Sequence, residues 1–154
     1  MHDQVDAVTA APTALANVVL HVSDPDAALT VYRDALGLVV RFDSGWGSPA
    51  PMLALTGTDA AERMRVIAFE AEGVRLSLCS FGRPASPRPF EDSGQAHVAF
   101  RVPDLDAALA RLEAAGATRL GEPGVVGPAH DRVRIGFVRD PDGVVLELIE
   151  AVAS

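Results

Sequence analysis

The chain has 154 residues, 49% of them hydrophobic and 22% charged, with a formal net charge of −8 and a single cysteine, Cys79. That profile belongs to one globular domain long enough to bury a core without staples, and it excludes an intrachain disulfide. The acidic balance excludes a phosphate-neutralising nucleic-acid face, and no apolar run approaches the roughly 20 residues that span a bilayer. The opening MHDQVDAVTAAPT lacks the basic start and apolar stretch of a signal peptide, so the expected compartment is the reducing cytoplasm. All 13 basic residues are arginine.

Residues 1–14 are expected to form a disordered or extended tail. NVVLHV, from Asn17, alternates and is rich in β-branched residues, as a half-buried strand should be. Asp24 then stands where an N-cap belongs, and Pro25 occupies a first-turn position that tolerates a missing N–H. Leu29, Tyr32 and Leu36 give the following helix one apolar stripe, which Gly37 ends as a C-cap glycine. Strands are expected over 38–43, 64–70 and 73–80, with a loop, GWGSPAPMLALTGTDAAE, carrying a short helix near Pro51–Leu55. Residues 83–93, in the stretch GRPASPRPFEDSG, read as a stiff Pro-rich linker that reaches across to another module.

A second series begins at HVAFRV, with Asp104 as N-cap, an apolar stripe of Leu105, Ala108, Leu109 and Leu112, and Gly116 as C-cap. Strands over 118–121, 132–138 and 144–150 complete it, and Asp142-Gly143 marks a hairpin turn that Glu72-Gly73 echoes. The two series are copies. VVLHVSDPDAALTVYRDA (18–35) aligns with VAFRVPDLDAALARLEAA (98–115), and GVRLSLCS (73–80) aligns with GVVLELIE (143–150). The fold class read from this order is α+β, built of two tandem βαβββ modules at 15–82 and 94–152 within one structural domain.

Strand alternation sorts the side chains. Val18, Leu20 and Val22 face the core, and so do Val98, Phe100 and Val102, and Leu146 and Leu148. The opposite face then carries Asn17, Val19 and His21; Arg75, Ser77 and Cys79; His97, Ala99 and Arg101; and Val145, Glu147 and Ile149. The repeat thus pairs Asn17 with His97 and Ser77 with Glu147. A carboxylate inside a strand needs a partner, and His97, Asn17 or Arg75 can supply one to Glu147. A His–Glu pair is either an inert hydrogen-bonded contact or an acid/base unit. Arg75 and Arg101 either clamp a carboxylate or phosphate or form rim ion pairs with Glu70 or Glu72. Trp46 lines a pocket or packs on its own module. His130 is a solvated loop residue and Cys79 a packed, inert thiol.

HVSDPDAALTVYRDALGL, AHVAFRVPDLDAALARLEAAG and VRDPDGVVLELIE together resemble the vicinal oxygen chelate superfamily, which includes glyoxalase I, extradiol dioxygenases, methylmalonyl-CoA epimerase and the bleomycin-resistance proteins. The resemblance implies a curved, cup-like mixed sheet with the helices outside, and a homodimer. It also implies four metal-ligand positions, which fall here on Asn17, Ser77, His97 and Glu147. Only His97 and Glu147 match the metal-binding pattern, while His21 lies about 13 Å along the strand from Asn17. The glyoxalase I carboxylate falls on Ser77, the epimerase base on Ile67 and the dioxygenase tyrosine on Phe137, so none of these chemistries keeps its full set.

The expectation that follows is a small-molecule enzyme of isomerase, lyase or cyclase type with no tightly bound cofactor. His97 and Glu147 would be catalytic, with Asn17, His21, Trp46, Arg75, Ser77 and Arg101 around the substrate. Two alternatives stand beside it. One is a metal-free, bleomycin-resistance-like dimer that binds a drug or metabolite. The other is a lyase or dioxygenase in which His97, Glu147 and Asn17 hold a weakly bound Fe, Mn, Zn, Co or Ni ion.

Overall fold

A computed structural model describes residues 14–71, 73–94 and 96–152. The N-terminal tail up to residue 13 and Glu72 of the echoed turn lie outside the described residues. The first module is β1 (Asn17–His21), α1 (Pro25–Leu29), β2 (Val39–Asp43), α2 (Ala50–Leu55), β3 (Arg65–Ala71) and β4 (Val74–Ser80). The second is β5 (His97–Arg101), α3 (Leu105–Ala114), β6 (Thr118–Arg119), β7 (Gly124–Val126), β8 (Val133–Arg139) and β9 (Val145–Ala151). The strands join in two sheets, ordered β1-β4-β3-β2 and β5-β9-β8-β6, with β7 pairing on β8. Both expected βαβββ units are present. The short β7, which sequence alternation left inside a loop, is the addition.

The helix ends follow their caps. Asp24 Oδ1 accepts hydrogen bonds from the N–H groups of Asp26 and Ala27 at 2.9 and 3.2 Å. Asp104 Oδ1 accepts one from Ala107 at 2.9 Å. Gly37 and Gly116 take the left-handed conformation, with φ of 75° and 99°, that ends each helix. Beyond α1 the chain widens into a π-helical turn over Thr30–Ala35, closed by a bond from the Leu36 N–H to the Val31 carbonyl at 2.9 Å. The repeat also carries matched ion pairs. Arg65 of β3 meets Asp26 of the first helix at 2.9 Å, and Arg134 of β8 meets Asp106 of the second at 3.0 Å.

One core serves both modules. Val31, Tyr32, Ile67, Phe69, Leu76 and Leu78 from the first pack in the same cluster as Leu105, Leu109, Leu112, Val138, Leu146 and Leu148 from the second. The helices lie on this side of each sheet, so each sheet turns its other face away from the shared core. Asn17, Val19 and His21 are exposed on that other face of β1, and His97, Ala99 and Arg101 on that of β5, as alternation predicts. β1 pairs only with β4 and β5 only with β9 among the described residues, so each sheet ends in an open edge.

The junction rests on a buried polar contact. Tyr32 is fully buried, and its hydroxyl donates to Asp140 Oδ2 at 2.9 Å, across from the β8–β9 turn. Asp140 Oδ1 accepts from the N–H groups of Asp142 and Val144 at 2.9 and 2.8 Å, so the carboxylate is fully engaged. Burial pushes the Asp140 carboxyl above its ordinary range, and the Tyr32 phenol is pushed up mainly by the same loss of water. Ser23, just after β1, donates its N–H to Asp142 Oδ1 at 2.9 Å and its hydroxyl to the same oxygen. Gly143 is required there twice over: its φ is +85°, and an added Cβ would stand 2.6 Å from Pro87 of the linker.

Tyr32→Phe keeps the packed ring but strips Asp140 of its side-chain donor. It is expected to lower stability by about 1–2 kcal/mol in urea unfolding at neutral pH. A change below about 0.5 kcal/mol would show that the bond contributes nothing to holding the modules together.

Candidate functional site

The outward face of the second sheet gathers the site. The pairing of β5 with β9 sets Ala99 opposite Glu147 and His97 opposite Val145, while β8 sets Phe137 opposite Glu147 on its other side. His97 and Glu147 meet from this register, with Nε2 and Oε2 3.0 Å apart. Their side chains are 40% and 17% exposed, so the pair is open to a ligand and half-shielded from water. Glu147 therefore takes His97 among the three partners the sequence offered it.

Two phenylalanines frame the imidazole. Phe90 stacks on His97 with ring centroids 5.9 Å apart, and Phe137 meets it edge-on at 5.9 Å. The two phenylalanines also touch each other edge-to-face at 5.6 Å. Phe90 belongs to the Pro-rich linker, which does more than connect: it brings an aromatic ring back over the second module. A cavity of about 430 Å³ continues from this corner, lined by Phe90, Leu120, Gly121, Glu122 and Phe137. Nothing in the linker's periodicity marks Phe90 for this place; only the fold of residues 83–93 reveals it.

The corresponding face of the first module is quieter. Ser77 is buried, and its hydroxyl donates to Asn17 Oδ1 at 3.2 Å. The two positions where the repeat sets His97 and Glu147 are thus bonded to each other in the first module as well. Opposite Ser77 on β3 stands Ala68, whereas Ile67 points into the core and is fully buried. Neither Ile67 nor Ala68 carries a carboxyl group. The Asn17–Ser77 pair belongs to the first sheet and the His97–Glu147 pair to the second.

The remaining residues of the expected set are dispersed. His21 stacks on Phe81 with centroids 6.1 Å apart, and lines a separate cavity of about 300 Å³ with Ser23, Cys79, Arg83 and Asp142. Trp46 lies under the Arg63 guanidinium, which stands 6.0 Å from the indole centroid. Arg75 pairs with Glu70 in strand register, yet the Glu70 carboxylate meets Arg41 instead, at 3.5 Å. Cys79 is buried beside Leu53 and Met64, and burial pushes its thiol above the ordinary range, which fits an inert packed residue. Arg101 and His130 share a cavity at the far end of β5.

The donor set does not fit a catalytic first-row metal. Among the described residues no group of three or more His, Cys, Asp or Glu side chains comes together. His97 and Glu147 are two donors, and Asn17 and Ser77 add only a neutral amide oxygen and a hydroxyl, already bonded to each other.

The profile of the Glyoxalase/Bleomycin resistance protein/Dioxygenase superfamily matches residues 14–148. The chain belongs to this superfamily. A lactoylglutathione lyase of Pseudomonas aeruginosa is 28% identical over 148 residues, covering 88% of this chain and 81% of that protein. Among solved structures, a glyoxalase-family protein from Bacillus cereus superposes with a TM-score of 0.79 at 21% identity, covering 96% of this chain and 99% of that one. A glyoxalase/dioxygenase from Nostoc punctiforme gives 0.63 at 23% identity, with 92% of each chain covered. At these identities the structural matches establish the superfamily's fold.

With two strong donors, the site is expected to hold divalent ions weakly. One equivalent of Zn²⁺ or Ni²⁺ should raise the melting temperature by less than about 2 °C. A rise of about 10 °C that disappears in Glu147→Ala would contradict this reading of the donor set.

Proposed function

We propose that the chain is a small-molecule enzyme that moves a proton next to a carbonyl group, of isomerase, lyase or cyclase type, without a tightly bound metal. The observation that carries this reading is the His97–Glu147 hydrogen bond on an open sheet face, beside an apolar cavity. Glu147 Oε2 is committed to the imidazole, which leaves Oε1 to accept a proton from carbon. His97, held by the other oxygen, can give a proton to or take one from the neighbouring oxygen or carbon of the substrate. A proton removed at one carbon and returned at the next gives an isomer with no change of oxidation state. Phe90 and Phe137 exclude water from one side of the imidazole and fix its plane.

The proposal includes a homodimer. The His97–Glu147 face would be one module's share of a cup, with the Asn17–Ser77 face on the other sheet as the second share. A second copy that lays its first module across the second module of this one would complete two equivalent cups. The open edges at β1 and β5, and Val19 half exposed on the β1 face, support that partner.

The relative from Pseudomonas is a lactoylglutathione lyase, yet Ser77 stands where the resemblance places a required carboxylate, so that activity is not expected here. A second reading, sequestration of an unchanged drug or metabolite, draws on the aromatic corner and its apolar cavity.

Glu147→Gln should cut turnover on an identified substrate by about 10²–10⁴-fold while leaving the melting temperature within about 3 °C. Full turnover in that variant would overturn the acid/base reading, and recovery of one unchanged compound per site with no product over time would establish the second one. No lactoylglutathione should form from methylglyoxal and glutathione; its formation at enzymic rates would mean that Ser77 does not remove that chemistry.

A further inference from the structure

Seven of the 13 arginines are neutralised in ion pairs: Arg33, Arg41, Arg65, Arg83, Arg88, Arg119 and Arg134. Arg101 and Arg132 are not, among the described residues, and they line one cavity of about 670 Å³ together with His130 and a single acid, Asp131. A chain of net charge −8 repels anions over most of its surface. Two guanidinium groups without carboxylate partners reverse the sign locally, and an imidazole adds a third donor.

The location ties this cavity to the proposed site. Arg101 is on the outward face of β5, two residues beyond Ala99, and Ala99 stands opposite Glu147. Strand rise sets Arg101 about 7 Å from Ala99 along the sheet. On the other side of Glu147, Phe137 is its partner on β8, and Leu120 bonds through its N–H to the Phe137 carbonyl at 2.9 Å. One face therefore presents Arg101, with the cavity it shares with Arg132, at one side, the His97–Glu147 pair in the middle and the apolar cavity of Phe90, Leu120 and Phe137 at the other.

We infer that the ligand of this site is a small organic anion, with its carboxylate or phosphate held by Arg101 and Arg132 and its apolar body in the Phe90–Leu120–Phe137 cavity. This rests on the His97–Glu147 reading for the site's position, but not on any chemistry occurring there. His130 closes the anion end from the loop before β8. The span from Arg101 to Glu147 suits a ligand whose charged group lies a few bonds from the carbon that loses its proton.

Calorimetric titration of the whole chain with 3-phenylpropionate, phenyl phosphate and the uncharged 3-phenylpropionamide tests this. At least one of the two anions should bind about tenfold or more tightly than the amide. Arg101→Gln and Arg132→Gln should each remove that preference, while Arg101→Lys retains part of it. Melting curves should match the parent, since neither arginine holds an ion pair among the described residues. Glu147→Gln should keep the preference, so a failed acid/base reading and a failed anion site give different results. Equal binding of anions and amide, no binding of any of the three, or a preference that survives both glutamine variants would overturn the inference.

Discussion

The hydrogen bond from Tyr32 to Asp140 sits where everything else in the molecule has to agree. It joins the first helix to the last hairpin at the centre of a core to which both modules contribute. An aspartate so deeply buried is tolerated only because a phenol and two backbone N–H groups satisfy it. Packing the helices of both modules into one core decides which way the sheets look. Each sheet turns its other face outward, with His97 and Glu147 on the second sheet and Asn17 and Ser77 on the first.

Much of this architecture was written in local chemistry. Asp24, Asp104, Gly37 and Gly116 set the helix limits because capping depends on one or two residues and their neighbours. The alternation in NVVLHV and HVAFRV gave the buried and outward faces correctly, since a strand's period leaves no other choice once one side is packed. The partners of Asp140 and Asp142 were not legible. Tyr32 and Ser23 are 108 and 119 residues away from them, and the sequence marks Tyr32 only as one more apolar-stripe residue. The π-helical turn over Thr30–Ala35 and the three-residue β7 leave no periodic trace long enough to detect.

The candidate site's central contact was legible, while its surroundings were not. The repeat brought out His97 and Glu147 through the contrast with Asn17 and Ser77, and the structure joins each pair by a hydrogen bond. The surrounding residues were harder, because outward-facing positions on one strand can serve different cavities. His21 and Arg75 share a strand face with Asn17 and Ser77 but line two different cavities, and Trp46 packs against Arg63. Phe90 came from a linker read only for stiffness, although its ring walls the imidazole. Arg132 carries no sequence signal for a similar reason: only the fold brings it beside Arg101.

On the proposed reading, one chain carries two outward half-sites and two copies together make a whole one. Sedimentation equilibrium on the parent chain, on Val19→Arg and on Ala99→Arg tests that claim at the faces concerned, both exposed and away from the core. The parent should sediment at twice the 16.1 kDa chain mass at micromolar concentration, and each arginine variant should fall to the single-chain mass with its melting curve unchanged. A parent that stays monomeric, or a dimer indifferent to both substitutions, would contradict the account.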